Sequence, residues 1–213
     1  MLIHAKKSTL MIVVGLAMLV GVYLGVFAGN LEPPGPPAPT MKTLDEVEPR
    51  IPIHAADLPL TITQRGSYYL VEDINTAGGG IQVSKATDDV TIDLEGFTLS
   101  GGTGVGIRIW LSGEVRNGRV KGWTGDCMNL GSGSRVVDVI AEGCGGGGIV
   151  IGQSGLVFDS TAINNTGNGI STACHSMVLN SNATSNLSNG ILVACYSYIS
   201  GNTFSSNAAA GIS

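Results

Sequence analysis

Charge is scarce in this chain and absent from its last quarter: no Asp, Glu, Lys or Arg follows Asp159. Charged residues make up 13 % of the 213 residues, about half the usual ~25 %. With hydrophobics at 43 %, that excludes a charge-rich disordered protein and leaves enough apolar residues for a core. Eleven Lys and Arg stand against sixteen Asp and Glu, a net charge of −5. No basic surplus exists to neutralise a phosphate backbone, so nucleic acid is excluded as a partner. No proline follows Pro59, which confines any polyproline spacer to the stretch before it. The only histidines are His4, His54 and His175, too few and too scattered for a copper or zinc site. No Cys-x-x-Cys occurs, which removes the common redox and zinc-knuckle motifs. Gly102-Thr103-Gly104-Val105-Gly106 lacks the spacing of a dinucleotide loop and reads as a turn. What the chain has in excess is glycine, 32 residues, roughly twice the usual ~7 % share.

The N-terminal part reads as targeting and spacing. Lys6 and Lys7 precede an uncharged apolar run from Leu10 to Ala28. As a helix, about 20 residues would span a ~30 Å hydrocarbon core. Val26-Phe27-Ala28 also offers a cleavage site before Gly29. Residues 1–29 are therefore a membrane anchor or a cleaved signal peptide. Either places the rest of the chain outside the cytoplasm, anchored there or secreted, with the two lysines left inside. Residues 30–59 read as a linker leading into a cap. Pro33-Pro34-Gly35-Pro36-Pro37-Ala38-Pro39 suits a stiff polyproline stalk of about 20 Å.

From residue 60 on the body is a repeat. Gly-Ile occurs at Gly106-Ile107, Gly148-Ile149, Gly169-Ile170, Gly190-Ile191 and Gly211-Ile212. All sit on one 21-residue period, with Cys127-Met128 in the remaining place. Val115, Val136, Val157, Val178 and Ile199 obey the same period, as do Val120, Ala141, Ala162, Ala183 and Phe204. Ile107 and Ile109 alternate with Arg108, the period of a strand. Three apolar stripes per unit predict a chain that coils through three strand faces around one core. Units of this kind bury their stripes only by stacking. Stacked strands lie ~4.8 Å apart, so every column becomes a ladder of like side chains. A charged ladder would set like charges side by side, which explains why Ser, Thr and Asn replace charge. Asn165, Asn186 and Asn207 share one column and suit hydrogen bonding along the stack.

The Gly-Ile units, this Asn column and the opening Thr61-Ile62-Thr63-Gln64-Arg65-Gly66-Ser67-Tyr68-Tyr69-Leu70 resemble right-handed parallel β-helix proteins of the pectin-lyase-like superfamily. The segment Val90-Thr91-Ile92-Asp93-Leu94-Glu95-Gly96-Phe97-Thr98-Leu99 is similar to the early coil of exported members. The resemblance covers residues 60–213. It implies an all-β fold, a right-handed parallel β-helix. The superfamily includes polysaccharide lyases, hydrolases and epimerases, copper-accessory proteins and adhesins. In its enzymes substrate lies along the outer face of the first sheet.

With the Ile positions inward, that face carries Arg108, Asn129, Val150, Ser171 and Leu192. It lacks the convergent acids, base or calcium cluster that a lyase or hydrolase needs. No catalytic residue is assigned. Asp88-Asp89 reads as a turn. Asp138 and Asp159 are one period apart and stack, with Asn117 and Asn180 in the same column. As a metal site they would take calcium. As a turn ladder they would accept backbone N–H bonds, the reading favoured. Arg116, Arg119 and Lys121, with Arg135 nearby, form the one basic cluster, and Trp110 and Trp123 lie on the same coil. With Arg108 they are candidates for binding an acidic glycan by charge and stacking, against a plain solvated face.

Cys174 and Cys195 are also one period apart. Their spacing fits a disulfide, but parity with Ile170 and Ile191 points them inward and favours a stack of buried thiols. A Cys127–Cys144 bridge across a Gly-rich turn is open. Gly211-Ile212-Ser213 begins a further unit, so the chain reads as a fragment or as one whose end a capping subunit covers. The expectation is an exported surface module that binds polysaccharide or serves a structural or adhesive role. The alternative is a carbohydrate-active enzyme whose site is incomplete in this chain.

Overall fold

The computed structural model describes residues 50–213. The anchor or signal at 1–29 and the Pro-rich stretch up to Pro49 lie outside the described residues. The body is an all-β parallel solenoid of about seven coils, and a single turn of 3-10 helix at Ala55–Asp57 is the one helical element described. Each coil runs through three strands. The first face is a seven-stranded sheet from Leu60–Ile62 to Ile191–Val193, and every neighbouring pair is parallel. The second and third faces make a 13-stranded sheet joined through the long strands Gly113–Lys121 and Arg135–Glu142. Strand pairing begins ahead of residue 60, where Ile51–Ile53 lies against Tyr68–Leu70.

The three apolar stripes form the core. Ile107, Met128, Ile149, Ile170 and Ile191 stack inward from the first face with no exposure. Val115, Val136, Val157 and Val178 do so from the second, and Val120, Ala141, Ala162 and Ala183 from the third. Burial on this scale stabilises by about 1.5–3 kcal/mol per large side chain.

The corners explain the polar composition. Each corner of the regular coils has one residue at positive φ: Ser154, His175 and Tyr196 after the first face, Asn117, Asp138, Asp159 and Asn180 after the second, and Asn164, Ser185 and Ser206 after the third. Short polar residues tolerate that conformation best. Where the next residue is Ser or Asn it points inward, and its side-chain oxygen accepts the N–H of its counterpart one coil earlier. Ser176 accepts from Gly155, Ser160 from Val139, Ser181 from Ser160, and Asn186 from Asn165. A backbone N–H buried at a corner is thus satisfied by the following coil. This differs from the sequence reading in one respect. Asp138 and Asp159 stand at the exposed left-handed position, while Ser160, next to Asp159, and Ser181, next to Asn180, accept the N–H bonds.

Asparagine and glycine are coupled across each regular coil. A Cβ on Gly148 would meet the amide nitrogen of Asn165 at 2.6 Å, one on Gly169 that of Asn186 at 2.5 Å, and one on Gly190 that of Asn207 at 2.6 Å. The Gly-Ile pair therefore has glycine because the Asn ladder fills the space of its side chain. The same place is taken one coil earlier by the Cys127–Cys144 disulfide, Cα–Cα 5.5 Å, and before that by Trp123 against Gly106. Trp123 also overlies Gly102, where φ is +85°. Gly102→Ala is expected to cost about 3 kcal/mol through strain and collision with the ring. Gly104→Ala, at a similar φ of +80° but with open space beside it, should cost only about 1 kcal/mol. Thermal melts of the two variants check the contrast.

The expected thiol stack is not present. Cys174 and Cys195 form a disulfide with Cα–Cα 4.6 Å. Strand parity ends at Thr172, and the chain then turns, so Cys174 sits half-buried and Cys195 exposed on the corner rather than in the core.

Candidate functional site

Arg108 sits where the sequence places it, in the outward column Thr61, Gln82, Arg108, Asn129, Val150, Ser171 and Leu192 of the first face. A departure from the repeat builds the site around it. Ile81 pairs with Ile107, so that coil is longer than the regular 21 residues. Part of the excess lies in the corner after the first face. Six residues separate Val83 from Val90 there, against three between Ile109 and Gly113 in the next coil. The longer corner delivers Lys85 onto Trp110. Its Nζ lies 4.4 Å from the indole ring centre, and the Arg108 guanidinium carbon lies 4.9 Å from the same centre. Such contacts contribute about 0.5–1 kcal/mol each at exposed positions, enough to bias where the two cations stand. Neither Lys85 nor Arg108 forms an ion pair with a described residue, whereas Arg65, Arg116, Arg119 and Arg135 all do.

Beside Arg108 a groove of about 320 Å³ runs back along the first face. Pro59, Thr61, Gln82, Thr103 and Val105 line it together with Arg108, and its lining has no carboxylate. Between apolar Pro59, Leu60, Ile81 and Val105 it presents the hydroxyls of Thr61 and Thr103, the Gln82 amide and the Arg108 guanidinium, groups that can hold an anionic ligand and do not by themselves supply a general acid or base.

The remaining sequence candidates are spread around the solenoid. Arg116 is on the second face, 2.8 Å from buried Asp93 and 3.6 Å from Glu114, which also takes Arg135 at 3.5 Å. Arg119 is on the third face, paired with Glu142. Lys121 is exposed on that same face, and Trp123 is buried in the core at 1 % exposure. Neighbours in sequence part company because the chain turns three corners in 21 residues. Only Arg108 and Trp110 of the six are brought together. Lys85 and Asp126 escaped the sequence reading. The lengthened coil was a usable signal for Lys85. Asp126 accepts from Asn129 Nδ2 and Gly147 N, both at 2.8 Å, and so anchors the corner leading to the first face.

Asp138 and Asp159 are exposed on one corner column at φ 54° and 48°. Among the described residues no group of three or more His, Cys, Asp or Glu side chains converges as a metal site would require. Asp89 is at a left-handed turn, and Asp88 pairs with Arg65 at 3.1 Å. No family model, curated protein or solved structure matches this chain.

Proposed function

We propose that this protein is an exported right-handed β-helix of the pectin-lyase-like kind that binds an acidic polysaccharide without cleaving it. One observation carries the reading: two cations without a carboxylate partner among the described residues converge on one indole, and one of them, Arg108, also lines a groove free of carboxylates. A carboxylate or sulfate on a sugar chain satisfies both cations, and the hydroxyls of adjoining sugars reach Thr61, Gln82 and Asn129. Ion pairs already claim most of the other arginines, which makes Lys85 and Arg108 the better anchors. Export is supported by the apolar run from Leu10 to Ala28 and by two disulfides, a chemistry of oxidising compartments. The lack of acids in the groove favours binding over catalysis by a lyase, hydrolase or epimerase.

The test is retention of the protein on immobilised polygalacturonate, hyaluronate, alginate and a neutral glucan, with new reducing ends and unsaturated uronates followed in parallel. Retention on an acidic polymer, without cleavage, is expected. Arg108→Ala with Lys85→Ala should weaken it about tenfold or more, and salt should weaken it steadily. Cleavage of any of these polymers, or retention that the double variant leaves unchanged, would overturn the reading.

A further inference from the structure

The far end of the same solenoid edge carries a feature that the cationic site does not use. His175 and Tyr196 occupy the left-handed position of the corner after the first face, at φ 62° and 56°. Gly133 and Ser154 hold that position in the two coils before. A tyrosine is disfavoured there, and local strain of this kind is kept where the surroundings enforce it. Here the enforcement is visible. The rings stack at 5.4 Å with planes 20° apart, and the residues just before them, Cys174 and Cys195, are covalently bonded. Two residues further on, Met177 and Tyr198 lie side by side in strand register. Tyr196 is 84 % exposed and Tyr198 61 %. The result is two stacked pairs of exposed side chains two residues apart, His175 with Tyr196 and Met177 with Tyr198, the first of them next to a disulfide. No Asp, Glu, Lys or Arg stands anywhere in the sequence from Ser160 to Ser213.

We propose that this block is a second subsite for the polysaccharide, taking the uncharged C–H face of a sugar some distance from the sugar whose acid group Arg108 and Lys85 hold. The inference rests on the cationic site's being a glycan site. Tyrosine suits the role because its ring is apolar while its hydroxyl still hydrogen-bonds, matching a sugar's C–H face and hydroxyl rim. An uncharged surface repels no part of a neutral sugar and attracts no charged peptide. Four exposed side chains alone also present less surface than the ~800 Å² per partner of a stable protein interface. Trp110 and Tyr196 lie on the same corner four coils apart, about 19 Å at ~4.8 Å per coil. A disaccharide can therefore engage only one end, whereas an octasaccharide can engage both.

The experiment is calorimetric titration of the full chain with hyaluronate and galacturonate oligomers of two and eight sugars. Wild type should bind at least one octamer about tenfold more tightly than its dimer, as linkage of two subsites requires. Tyr196→Ala should abolish that gain and leave dimer affinity unchanged, and Tyr196→Phe should retain it. Cys174→Ser with Cys195→Ser should lose the gain as Tyr196→Ala does, with strand content checked by circular dichroism. Arg108→Ala should weaken both lengths. If Arg108→Ala weakens the octamer but Tyr196→Ala does not, the second subsite is wrong and the cationic site stands. If Tyr196→Ala weakens the octamer and Arg108→Ala does not, the aromatic subsite stands alone. If wild type binds neither oligomer, both readings fall.

Discussion

Asn186→Ala is expected to lower stability by about 3–5 kcal/mol, near the top of the range for a single substitution. Its Oδ1 accepts from Asn165 N at 3.1 Å and from Asn165 Nδ2 at 3.0 Å. Its Nδ2 donates to Ala162 O at 3.1 Å and to Asn207 Oδ1 at 3.0 Å. The side chain is fully buried, so water cannot replace these partners. Removal strands a backbone N–H and a carbonyl in the core, each costing about 1–3 kcal/mol when unsatisfied, and leaves a cavity. The neighbouring Asn207 is only half-buried, and solvent can stand in for its amide. Asn207→Ala should therefore cost only about 1 kcal/mol. Urea unfolding followed by circular dichroism checks both. Because each coil contacts only its neighbours, the weakened variant should also show an early transition in the C-terminal coils. A change below 1 kcal/mol for Asn186→Ala would mean that the ladder is not what holds these coils.

How far the fold was legible follows from where the repeat is regular. From Gly106 on, three apolar columns, the Asn ladder and the outward column through Arg108 could all be read from period alone, and the strand registers agree with them. Period says which residues stack and not which way a corner residue points. That is why period and parity put Cys174 in the core: strand parity has no meaning past Thr172, where the chain turns. The serine ladders were likewise missed, since Ser160 and Ser176 look like any other polar turn residue until the left-handed residue before each is known. The site was legible only in part. Arg108 and Trp110 are two residues apart on one strand end, so sequence nearness served. Arg116, Arg119 and Lys121 are as near in sequence but lie around other faces, and Lys85 comes from a coil whose length breaks the period. Lys85 meets Trp110 because the repeat departs from its rule there, and a reading built on the rule cannot place it.

The same rule predicts that one irregularity can be undone. Cys127 stands where other coils have glycine, and Cys144 stands where they have asparagine. The bond between them occupies the space that the asparagine amide fills beside Gly148, Gly169 and Gly190. Cys144→Asn alone should be strongly destabilising, by about 3 kcal/mol or more, because it breaks a bridge closing a 17-residue separation and drives an amide against the side chain of Cys127. Cys127→Gly alone loses the bridge by a similar amount and leaves a void. Made together, the two changes should restore stability to within about 1–2 kcal/mol of the parent. The new amide at position 144 would take the arrangement of the next coil, where Asn165 Oδ1 accepts from Cys144 N at 3.0 Å and Asn165 Nδ2 donates to Ala141 O at 3.1 Å. One coil earlier the corresponding groups are the N–H of Trp123 and the carbonyl of Val120, and Asn165 is already poised to receive the ladder. A double-mutant cycle in urea measures the coupling directly. Recovery in the double variant means that disulfide and Gly–Asn pair are interchangeable solutions to one packing problem. Both single changes remove the same bridge, so if the double variant instead loses as much as Cys127→Gly alone, the asparagine restores nothing, and the disulfide stabilises this coil by a means that the ladder does not share.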